Sequence, residues 1–536
     1  MRGRLGISLI GASIAILLSI GIVMGLSRNY ESSPQWQMAG QDLSNTRSQP
    51  LEHKIGRSNV GKLATQWVFT TGAGVSATPT VMGDAVYFPD WAGNLYAVDK
   101  RTGQQIWSHQ ISEYDGVSGA ISRVSPAVNG DELILGDIEN SSATHAGANV
   151  IAVDRKSGTL RWITQVDGHR AAVITGSPVV FDNVVYQGVS SNEEGLATNP
   201  SYPCCTFRGS MVALNATTGA ILWQTYDMPD NGSQPGGYSG GAIWQSPAID
   251  PVRRLLFVGT GNNYSVPADA EACQATAIEN HNPDAECTVP DDYFDTAIAL
   301  ELTTGRARWA NTAAIRWTRR VQRYDVWTVA CIEGLSTCPS PHGSDYDFGG
   351  SGPNFLGNMV GFGEKSGVYW ALNPDNGEVI WSTSVGPGGS LGGIEWGTAT
   401  DGRRIYAAIA NNSHTSYTLQ AGQTITSGSW GALDPASGKI LWQTADPAPA
   451  AIDTGSLSVA NGVLYADSLA AASGDSNMFA LDTETGRILW KFASGGSVVD
   501  GPSIVDGVVY WGSGYPRFGY TPNNKIFAFA VDLRRR

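Results

Sequence analysis

Residues 97–107 read AVDKRTGQQIW, and six further copies of this phrase follow along the chain. The copies are AVDRKSGTLRW (152–162), ALNATTGAILW (213–223), ALELTTGRARW (299–309), ALNPDNGEVIW (371–381), ALDPASGKILW (432–442) and ALDTETGRILW (480–490). In each copy, two short apolar runs flank a turn in which an Asp, Asn or Glu side chain precedes a Gly that accepts a positive φ. The repeat therefore predicts regularly spaced β-hairpins in an all-β chain.

An eighth copy is divided between the two ends of the chain. The C-terminal KIFAFAVD (525–532) lacks the Trp, whereas the N-terminal VGKLATQW (60–67) supplies Trp67 alone. Successive Trp residues lie 40 to 86 positions apart, the length of a four-stranded antiparallel blade with its loops. We therefore predict an eight-bladed β-propeller closed by a blade that both termini share, which removes exposed sheet edges. The repeated Trp residues are interpreted as docking groups between blades: Trp67, Trp107, Trp162, Trp223, Trp309, Trp381, Trp442 and Trp490.

Composition and charge exclude two broad classes of protein. With 42% hydrophobic and only 15% charged residues in 536, the chain can bury a large core and is not disordered. Six basic residues lie near the chain ends, namely Arg2, Arg4, Arg28, Arg534, Arg535 and Arg536. The body between them has 28 basic and 48 acidic residues, a net charge of −20. Nucleic acid is therefore not expected as a partner, because phosphate binding needs clustered Lys and Arg.

The N-terminus has the pattern of an export signal. Arg2 and Arg4 precede a run over 5–26 that contains no charge and is about as long as a bilayer is thick. An uncleaved membrane anchor and a removed signal peptide both fit this pattern, and a core helix is a third interpretation. We divide the chain into an export segment, 1–30, and a single propeller, 31–536. The propeller is expected on the periplasmic or extracellular side of the cytoplasmic membrane.

All six cysteines fall into local pairs, which agrees with export to an oxidising compartment. The pairs are Cys204 with Cys205, Cys273 with Cys287, and Cys331 with Cys338. There is no Cys-x-x-Cys-His motif for a c-type haem, and no Cys/His spacing fits a zinc site.

The repeat and the export signal together resemble the PQQ (pyrroloquinoline quinone) dependent alcohol dehydrogenases. The segments SYPCCTFRGSMVALNATTG (201–219), YDVWTVAC (324–331) and GPGGSLGGIEWG (386–397) are most similar to their polyvinyl alcohol dehydrogenase branch. The same repeat also occurs in non-catalytic scaffolds of the outer membrane, so fold alone does not decide function. A binding or assembly scaffold without cofactor is therefore the alternative hypothesis.

A site for PQQ, a flat tricarboxylate quinone, needs aromatic faces, cations and hydrogen-bond donors. The resemblance implies that Trp244 stacks on the cofactor and that Thr175 and Ser190 bind it. Lys365 falls where the family places a cation beside the quinone oxygens, where it would stabilise the reduced oxyanion. Ordinary structural roles remain open for each of these residues: a core Trp, a strand-edge Thr and a solvated turn Lys.

The family's calcium loops also have counterparts in this sequence. Ser190 and Glu193 match a Ser-x-x-Glu-x-Gly loop in SSNEEG, and Asn262 matches a Gly-x-Gly-Asn loop in GTGNNY. Carboxylate and amide oxygens suit a hard cation such as calcium. Glu194 is the alternative if the register of the first loop shifts by one residue, and surface-loop roles remain open.

Two features depart from the family pattern. The adjacent Cys204 and Cys205, predicted to bond to each other, follow Trp162 of the second complete repeat and not Trp107 of the first, so a role as a lid on the cofactor stays open beside that of a local staple. The family's Asp string is interrupted, and Asp345 and Asp347 come after an insertion. We predict Asp345 as the catalytic base and a metal ligand, with Asp347 beside the metal. The two roles are exchangeable, and turn capping is the alternative for Asp345.

These residues predict an alcohol dehydrogenase in which Asp345 takes the hydroxyl proton while calcium and Lys365 polarise the quinone. The substrate is an alcohol, small or polymeric. A separate cytochrome c or a membrane quinone is expected to accept the electrons, because the chain has no haem motif. Two long insertions, 264–293 and 328–344, each hold one cysteine pair and are expected to rim the substrate funnel.

Overall fold

The computed structural model describes residues 34–138, 147–283, 285–302, 314–470 and 474–531. Its strands form eight four-stranded antiparallel blades, and within each blade the strands are given from the axis outward. Blade 1 comprises Thr80–Met82, Ala85–Pro89, Asn94–Asp99 and Gln105–Gln110. Blade 2 comprises Ala127–Asn129, Glu132–Gly136, Ala148–Asp154 and Leu160–Asp167. Blade 3 comprises Val179–Phe181, Val184–Ser191, Ser210–Asn215 and Ile221–Tyr226. Blade 4 comprises Ala248–Asp250, Leu255–Gly259, Thr296–Glu301 and Ile315–Arg320.

The remaining blades complete the ring. Blade 5 comprises Pro353–Phe355, Val360–Gly363, Val368–Leu372 and Val379–Ser384. Blade 6 comprises Ala399–Thr400, Ile405–Ile409, Ser429–Leu433 and Ile440–Ala445. Blade 7 comprises Ser458–Ala460, Val463–Asp467, Met478–Asp482 and Ile488–Phe492. Blade 8 comprises Ser503–Val505, Val508–Ser513, Lys525–Val531 and Leu63–Thr70. The outer strand of blade 8 comes from the N-terminal side and pairs with the C-terminal strand, so the predicted eight-bladed fold and its shared closing blade are confirmed.

Helices and short ribbons lie outside the blades. The described helices are Ser112–Asp115, Glu193–Leu196 and Ala268–Glu279, with 3-10 turns at Val60–Lys62, Val329–Cys331 and Arg517–Gly519. Ala172–Val173 extends blade 3, and two ribbons pair Ser239–Gly240 with Asn263–Ser265 and Tyr417–Thr418 with Thr424–Ile425. No helix in these described ranges is long and apolar enough to cross a membrane, and the predicted export segment 1–30 lies outside them.

The repeated tryptophans dock each blade on the next one. Their indole N–H groups donate to backbone carbonyls in the neighbouring blade at 2.7–3.1 Å, in the pairs Trp67–Lys100, Trp107–Arg155, Trp162–Ala216, Trp317–Pro374, Trp381–Pro435, Trp442–Thr483 and Trp490–Leu63. The repeat Gly lies under the ring: at Gly219, with φ of +71°, a Cβ would come within 2.5 Å of Trp162. The Ala, Gly and Trp of the repeat thus serve packing between blades.

Blade 4 differs from the prediction. Trp317, and not Trp309, pairs with Ala299 as the other repeat tryptophans pair with their Ala, and Trp317 donates to Pro374 at 2.8 Å. Trp309 lies outside the described residues. A longer connection follows the repeat phrase here, so the outer strand takes its Trp from IRWTRR (315–320).

Trp317→Phe should lower the free energy of unfolding by about 1–3 kcal/mol, because it removes the indole donor and leaves the buried Pro374 carbonyl unpaired. Urea unfolding of the purified protein measures this change. The exposed Ile380, on the outer strand of blade 5, provides a matched control in Ile380→Ala, which should cost less. Equal losses in the two variants would contradict the docking role of Trp317.

Residues 36–49 cross the propeller axis and hydrogen-bond with the first strands of six blades. Their backbone partners are Val81, Val128, Ile249, Phe355, Thr400 and Val459. The buried Arg47 donates to the Leu457 carbonyl at 2.7 Å and to the Thr78 hydroxyl at 2.7 Å. Because Ala39 and Arg47 line the axial cavity, this segment forms its floor.

Candidate active site

The blades bring equivalent positions to a cavity on the propeller axis. Arg123, Thr175 and Trp244 occupy the same place in the repeat, three residues before the Pro that leads into a first strand. Arg123 and Thr175 line the cavity, and the Thr175 hydroxyl donates to the Trp244 carbonyl at 3.3 Å. Residues of different types at one repeat position of successive blades therefore lie close together at the axis.

Lys365 is the centre of a buried polar cluster. It lies in the turn between Val360–Gly363 and Val368–Leu372, and its Nζ is 2.7 Å from Asp345 Oδ2 and 3.4 Å from Asp347 Oδ2. Burial lowers the pKa of Lys365, but Asp345 and Asp347 raise it, and the net pKa is well above the usual value. Lys365 is therefore a fixed positive charge at the axis.

The two aspartates have different surroundings. Asp347 is fully engaged: Oδ1 accepts the Asn262 backbone N–H at 2.9 Å, and Oδ2 accepts the Trp244 indole N–H at 3.0 Å as well as Lys365. Asp345 Oδ1 has no protein partner although the side chain is only 1% exposed. Burial raises the pKa of Asp345 well above its ordinary value, and Lys365 opposes that rise. Asp345 thus retains a free oxygen that can take a proton, whereas Asp347 holds Trp244 in place.

Asp325 holds the loop that presents Asp345. Its carboxylate accepts the backbone N–H groups of Asp345 at 3.1 Å and of Tyr346 at 2.8 Å. Burial raises the pKa of Asp325 to about 6 against the effect of these two hydrogen bonds. Asp345 itself has a φ of +59°, a backbone conformation that non-Gly residues adopt at a cost and that this loop maintains.

Glu193, the predicted metal ligand, is hydrogen-bonded within its own loop. Its fully buried carboxylate accepts the backbone N–H groups of Thr206, at 2.9 and 3.0 Å, and of Phe207, at 2.7 Å, and the Tyr202 hydroxyl at 2.9 Å. With a further one from the Thr206 hydroxyl at 3.4 Å, these hydrogen bonds engage both oxygens. Glu193 therefore fastens the loop that carries Cys204.

Glu194, the register alternative, is the carboxylate that faces the axial cluster. Burial raises the pKa of Glu194 to about 7, Lys365 lowers it, and Asp347 raises it. No protein group in the described ranges hydrogen-bonds to the Glu194 carboxylate. Of the two adjacent glutamates, Glu194 is therefore the one that interacts with Lys365 and Asp347.

The donor set fits a hard cation. The Asn262 amide donates both hydrogens, to the carbonyls of Asn263 and Trp327 at 2.8 Å each, so its Oδ1 is left to accept. The Glu194 carboxylate and Asn262 Oδ1 thus offer oxygen atoms of the kind that a hard cation binds. When all are ionised, the carboxylates of Glu194, Asp345 and Asp347 exceed the charge of Lys365 by two, and a divalent ion such as calcium would favour that ionised form.

The remaining predicted residues are the cysteines and Ser190. Cys204 and Cys205 are bonded to each other, as predicted, and pack in the same apolar cluster as Trp244. Ser190 is buried at the end of strand Val184–Ser191, opposite Val173, and the structure shows no contact between it and the cluster around Lys365. The other cysteine pairs, Cys273–Cys287 and Cys331–Cys338, also form as predicted.

Sequence reasoning missed Arg123 and Glu395. The Arg123 guanidinium lies 4.2 Å from the ring centre of Trp396, and no carboxylate in the described ranges lies within 4.0 Å of it. Glu395, buried at the corresponding position of blade 6, is near both Lys365 and Arg123. The signal was available, because both residues precede a first strand by the same distance as Thr175 and Trp244. An unpaired cation, a lysine and two indole rings fit a flat anionic cofactor such as PQQ.

Glu395 should make the cofactor-free protein less stable as the pH rises. Burial raises its pKa from 4.5 to about 8, which Lys365 opposes, so the stabilising neutral form is fully present below about 4.5 and is lost as the pH rises through 8. Between pH 5 and 9, wild type should lose a few kcal/mol more than Glu395→Gln. Urea unfolding of both apoproteins measures this difference. The same pH dependence in both would contradict a neutral Glu395.

The chain is similar to several known proteins. A family model described as outer membrane protein assembly factor BamB matches residues 64–203 and 426–530. The polyvinylalcohol dehydrogenase of Sphingopyxis sp. (strain 113P3) is 30% identical over 93% of this chain and 76% of its own length. That of Pseudomonas sp. is 29% identical over 94% and 75%, respectively. The crystal structure of quinohemoprotein alcohol dehydrogenase from Comamonas testosteroni has the same fold, with a TM-score of 0.66 and 19% identity over 93% of this chain and 80% of that one.

Proposed function

Because the chain belongs to the PQQ-dependent (quinoprotein) alcohol dehydrogenases, with polyvinyl alcohol dehydrogenases among its relatives, we propose that it oxidises a secondary alcohol, carried on a polymer or free, outside the cytoplasm and with the help of calcium. Membership in this family favours the enzyme over the scaffold hypothesis. The observation that carries the proposal is the free Asp345 oxygen beside Lys365, which also contacts the Asp347 carboxylate that holds Trp244.

The residues of this chain divide the work of the reaction. When bound, PQQ supplies the quinone that accepts the electron pair of the alcohol, and calcium supplies positive charge that polarises it. Asp345 Oδ1 accepts the hydroxyl proton of the alcohol, while Lys365 holds Oδ2 at 2.7 Å and keeps the carboxylate in one orientation. Trp244 offers an aromatic face, fixed by its hydrogen bond to Asp347. Glu194 and Asn262 are the residues that would hold calcium.

Export and a polymeric substrate are supported by different observations. Three disulfides suit an oxidising compartment, and the acidic body is typical of neither a nucleic-acid nor a membrane-surface protein. The printed names of two relatives specify polyvinyl alcohol. A cytochrome c or a membrane quinone would take up the electrons.

Reconstitution tests the proposal directly. Protein loaded with PQQ and calcium should reduce a dye when given secondary alcohols and polyvinyl alcohol, and either omission should abolish the activity. A panel of primary, secondary and polymeric alcohols then ranks substrates by kcat/KM. Binding of PQQ without oxidation of any alcohol in the panel would contradict the proposed function.

A further inference from the structure

An aromatic surface lies beside the axial cavity, on blades 8, 1 and 6. We name it the aromatic rim, and it consists of Trp91, Trp396, Tyr515, Phe518 and Tyr520. Trp91 lies between the second and third strands of blade 1, and the last three residues lie in the equivalent connection of blade 8. Lys365 lies in this same connection of blade 5. Because equivalent connections of the blades lie at the same end of the ring, the rim and the candidate active site share one end of the propeller.

Contacts between side chains join the aromatic rim to the axial cavity. Trp396 lines the cavity, and its ring meets the Trp244 ring edge-on with centroids 5.4 Å apart. Three other rim residues pack with Trp396 in one apolar cluster, namely Trp91, Tyr515 and Tyr520. The Arg123 guanidinium lies 4.2 Å from the ring centre of Trp396 and 5.8 Å from that of Trp91. The rim is therefore continuous with the residues expected to hold the cofactor.

Phe518 is the most exposed member of the aromatic rim. Its side chain is 57% exposed, a larger fraction than for any other Phe or Trp in the part of the chain that the structure describes. Its backbone has a φ of +54°, a conformation that a bulky residue adopts at a cost. Tyr515 and Tyr520 stack with centroids 6.1 Å apart and hold the two sides of this turn together. An exposed aromatic side chain that is held in this way is typical of a binding surface.

A polymeric alcohol has the chemistry that suits this surface. Its chain alternates methylene groups with carbons that bear a hydroxyl, so it offers apolar faces to aromatic rings and oxygens to N–H donors. The Arg517 guanidinium lies 5.4 Å from the ring centre of Trp91 and supplies such donors beside the rings. The chain has no charge, so the acidic body does not repel it. Because a polymer is far longer than the cavity, its unreacted part must lie outside, where the rim begins.

We propose that the aromatic rim binds the unreacted part of a polymeric secondary alcohol while one hydroxyl-bearing carbon of the chain reacts beside Asp345. This inference rests on the proposed function and names the residues that select its polymeric substrate. Interactions remote from the reacting carbon act only on a substrate long enough to reach them, so they lower KM for long chains and not for a small alcohol. Phe518 is therefore a specificity-determining residue.

The length of the substrate chain tests this surface. The loaded enzyme is given isopropanol, a free secondary alcohol, or polyvinyl alcohol fractions of increasing length, with KM expressed per hydroxyl group. In wild type, KM should fall as the chain lengthens. In Phe518→Ala, KM for the long fractions should rise about fivefold or more, because an aromatic contact is lost, whereas KM and kcat for isopropanol should stay at their wild-type values.

Two variants and a binding measurement serve as controls. Phe518→Tyr keeps the ring and should keep the wild-type KM for long chains. Val252 is 88% exposed and lies between the first and second strands of blade 4, at the other end of the ring, so Val252→Ala should change no KM. Calorimetric titration of polyvinyl alcohol into loaded enzyme whose cofactor is already reduced measures binding without turnover. Phe518→Ala should weaken this binding by the same factor as it raises KM.

The results that would overturn the inference differ from those that would refute the proposed function. Equal polymer KM values in wild type and Phe518→Ala would overturn the inference, as would an equal rise of KM for isopropanol. Slower reoxidation of Phe518→Ala by a cytochrome c, with polymer binding unchanged, would assign the rim to a protein partner and overturn it as well. If neither isopropanol nor the polymer is oxidised, the proposed function fails, while the calorimetric titration still decides whether the rim binds the chain.

Discussion

Asp345→Asn should lower kcat for alcohol oxidation by about 10²- to 10⁴-fold, the contribution of a positioned general base. The reason is geometric: Asp345 Oδ1 is the buried carboxylate oxygen beside Lys365 that no protein group occupies. An amide of the same shape cannot accept the hydroxyl proton. PQQ affinity, measured by absorbance titration, should change far less than kcat, because Trp244, Lys365 and Glu194 remain.

Asp347→Asn is the matched control. Asp347 accepts hydrogen bonds from Asn262, Trp244 and Lys365, so its replacement disturbs the positions of the residues around the cofactor. We expect weaker PQQ binding in this variant and a smaller loss of kcat once the site is saturated. If Asp347→Asn lost turnover at full PQQ occupancy while Asp345→Asn kept it, the two roles would have to be exchanged.

The fold could be predicted from the sequence because its instructions are local and repeated. Each hairpin needs only a turn Gly, a capping Asp or Asn and a Trp at a fixed distance, and seven complete copies leave little choice of architecture. The prediction was wrong where one copy is longer. In blade 4 the Trp that meets the repeat constraint, a position opposite Ala299, is Trp317, and a motif of fixed length cannot find it.

The site was less predictable because it depends on which way single side chains point. Glu193 and Glu194 are adjacent, yet one binds two backbone amides of its own loop and the other faces Lys365. A short helical turn at Glu193–Leu196 sends the two side chains in different directions. No sequence pattern encodes that choice. Arg123 and Glu395 were missed for another reason. Both occupy a repeat position that faces the axial cavity, and this becomes clear only when the ring is closed.

The adjacent glutamates allow the sharpest test of the metal site. Glu194→Gln should weaken calcium binding by about 10- to 100-fold, since it removes a charged oxygen ligand from a site with few other donors. PQQ affinity should fall with it, because an anionic cofactor and a cation bound at one site stabilise each other, and this coupling is reciprocal. Calorimetric calcium titration, with and without PQQ, measures both effects.

Glu193→Gln changes the same carboxylate to the same amide one residue earlier and should have the opposite pattern. Its backbone donors, Thr206 and Phe207, would lose charge-assisted hydrogen bonds in a buried place, which should cost about 1.5–3 kcal/mol of folding free energy. Calcium affinity should stay within a few fold of wild type. Loss of calcium binding in Glu193→Gln together with normal binding in Glu194→Gln would return the metal ligand to Glu193. In the predicted pattern, Glu193→Gln loses stability and Glu194→Gln loses calcium affinity. That result would show that Glu193 supports the loop and that Glu194, one residue later, binds the ion.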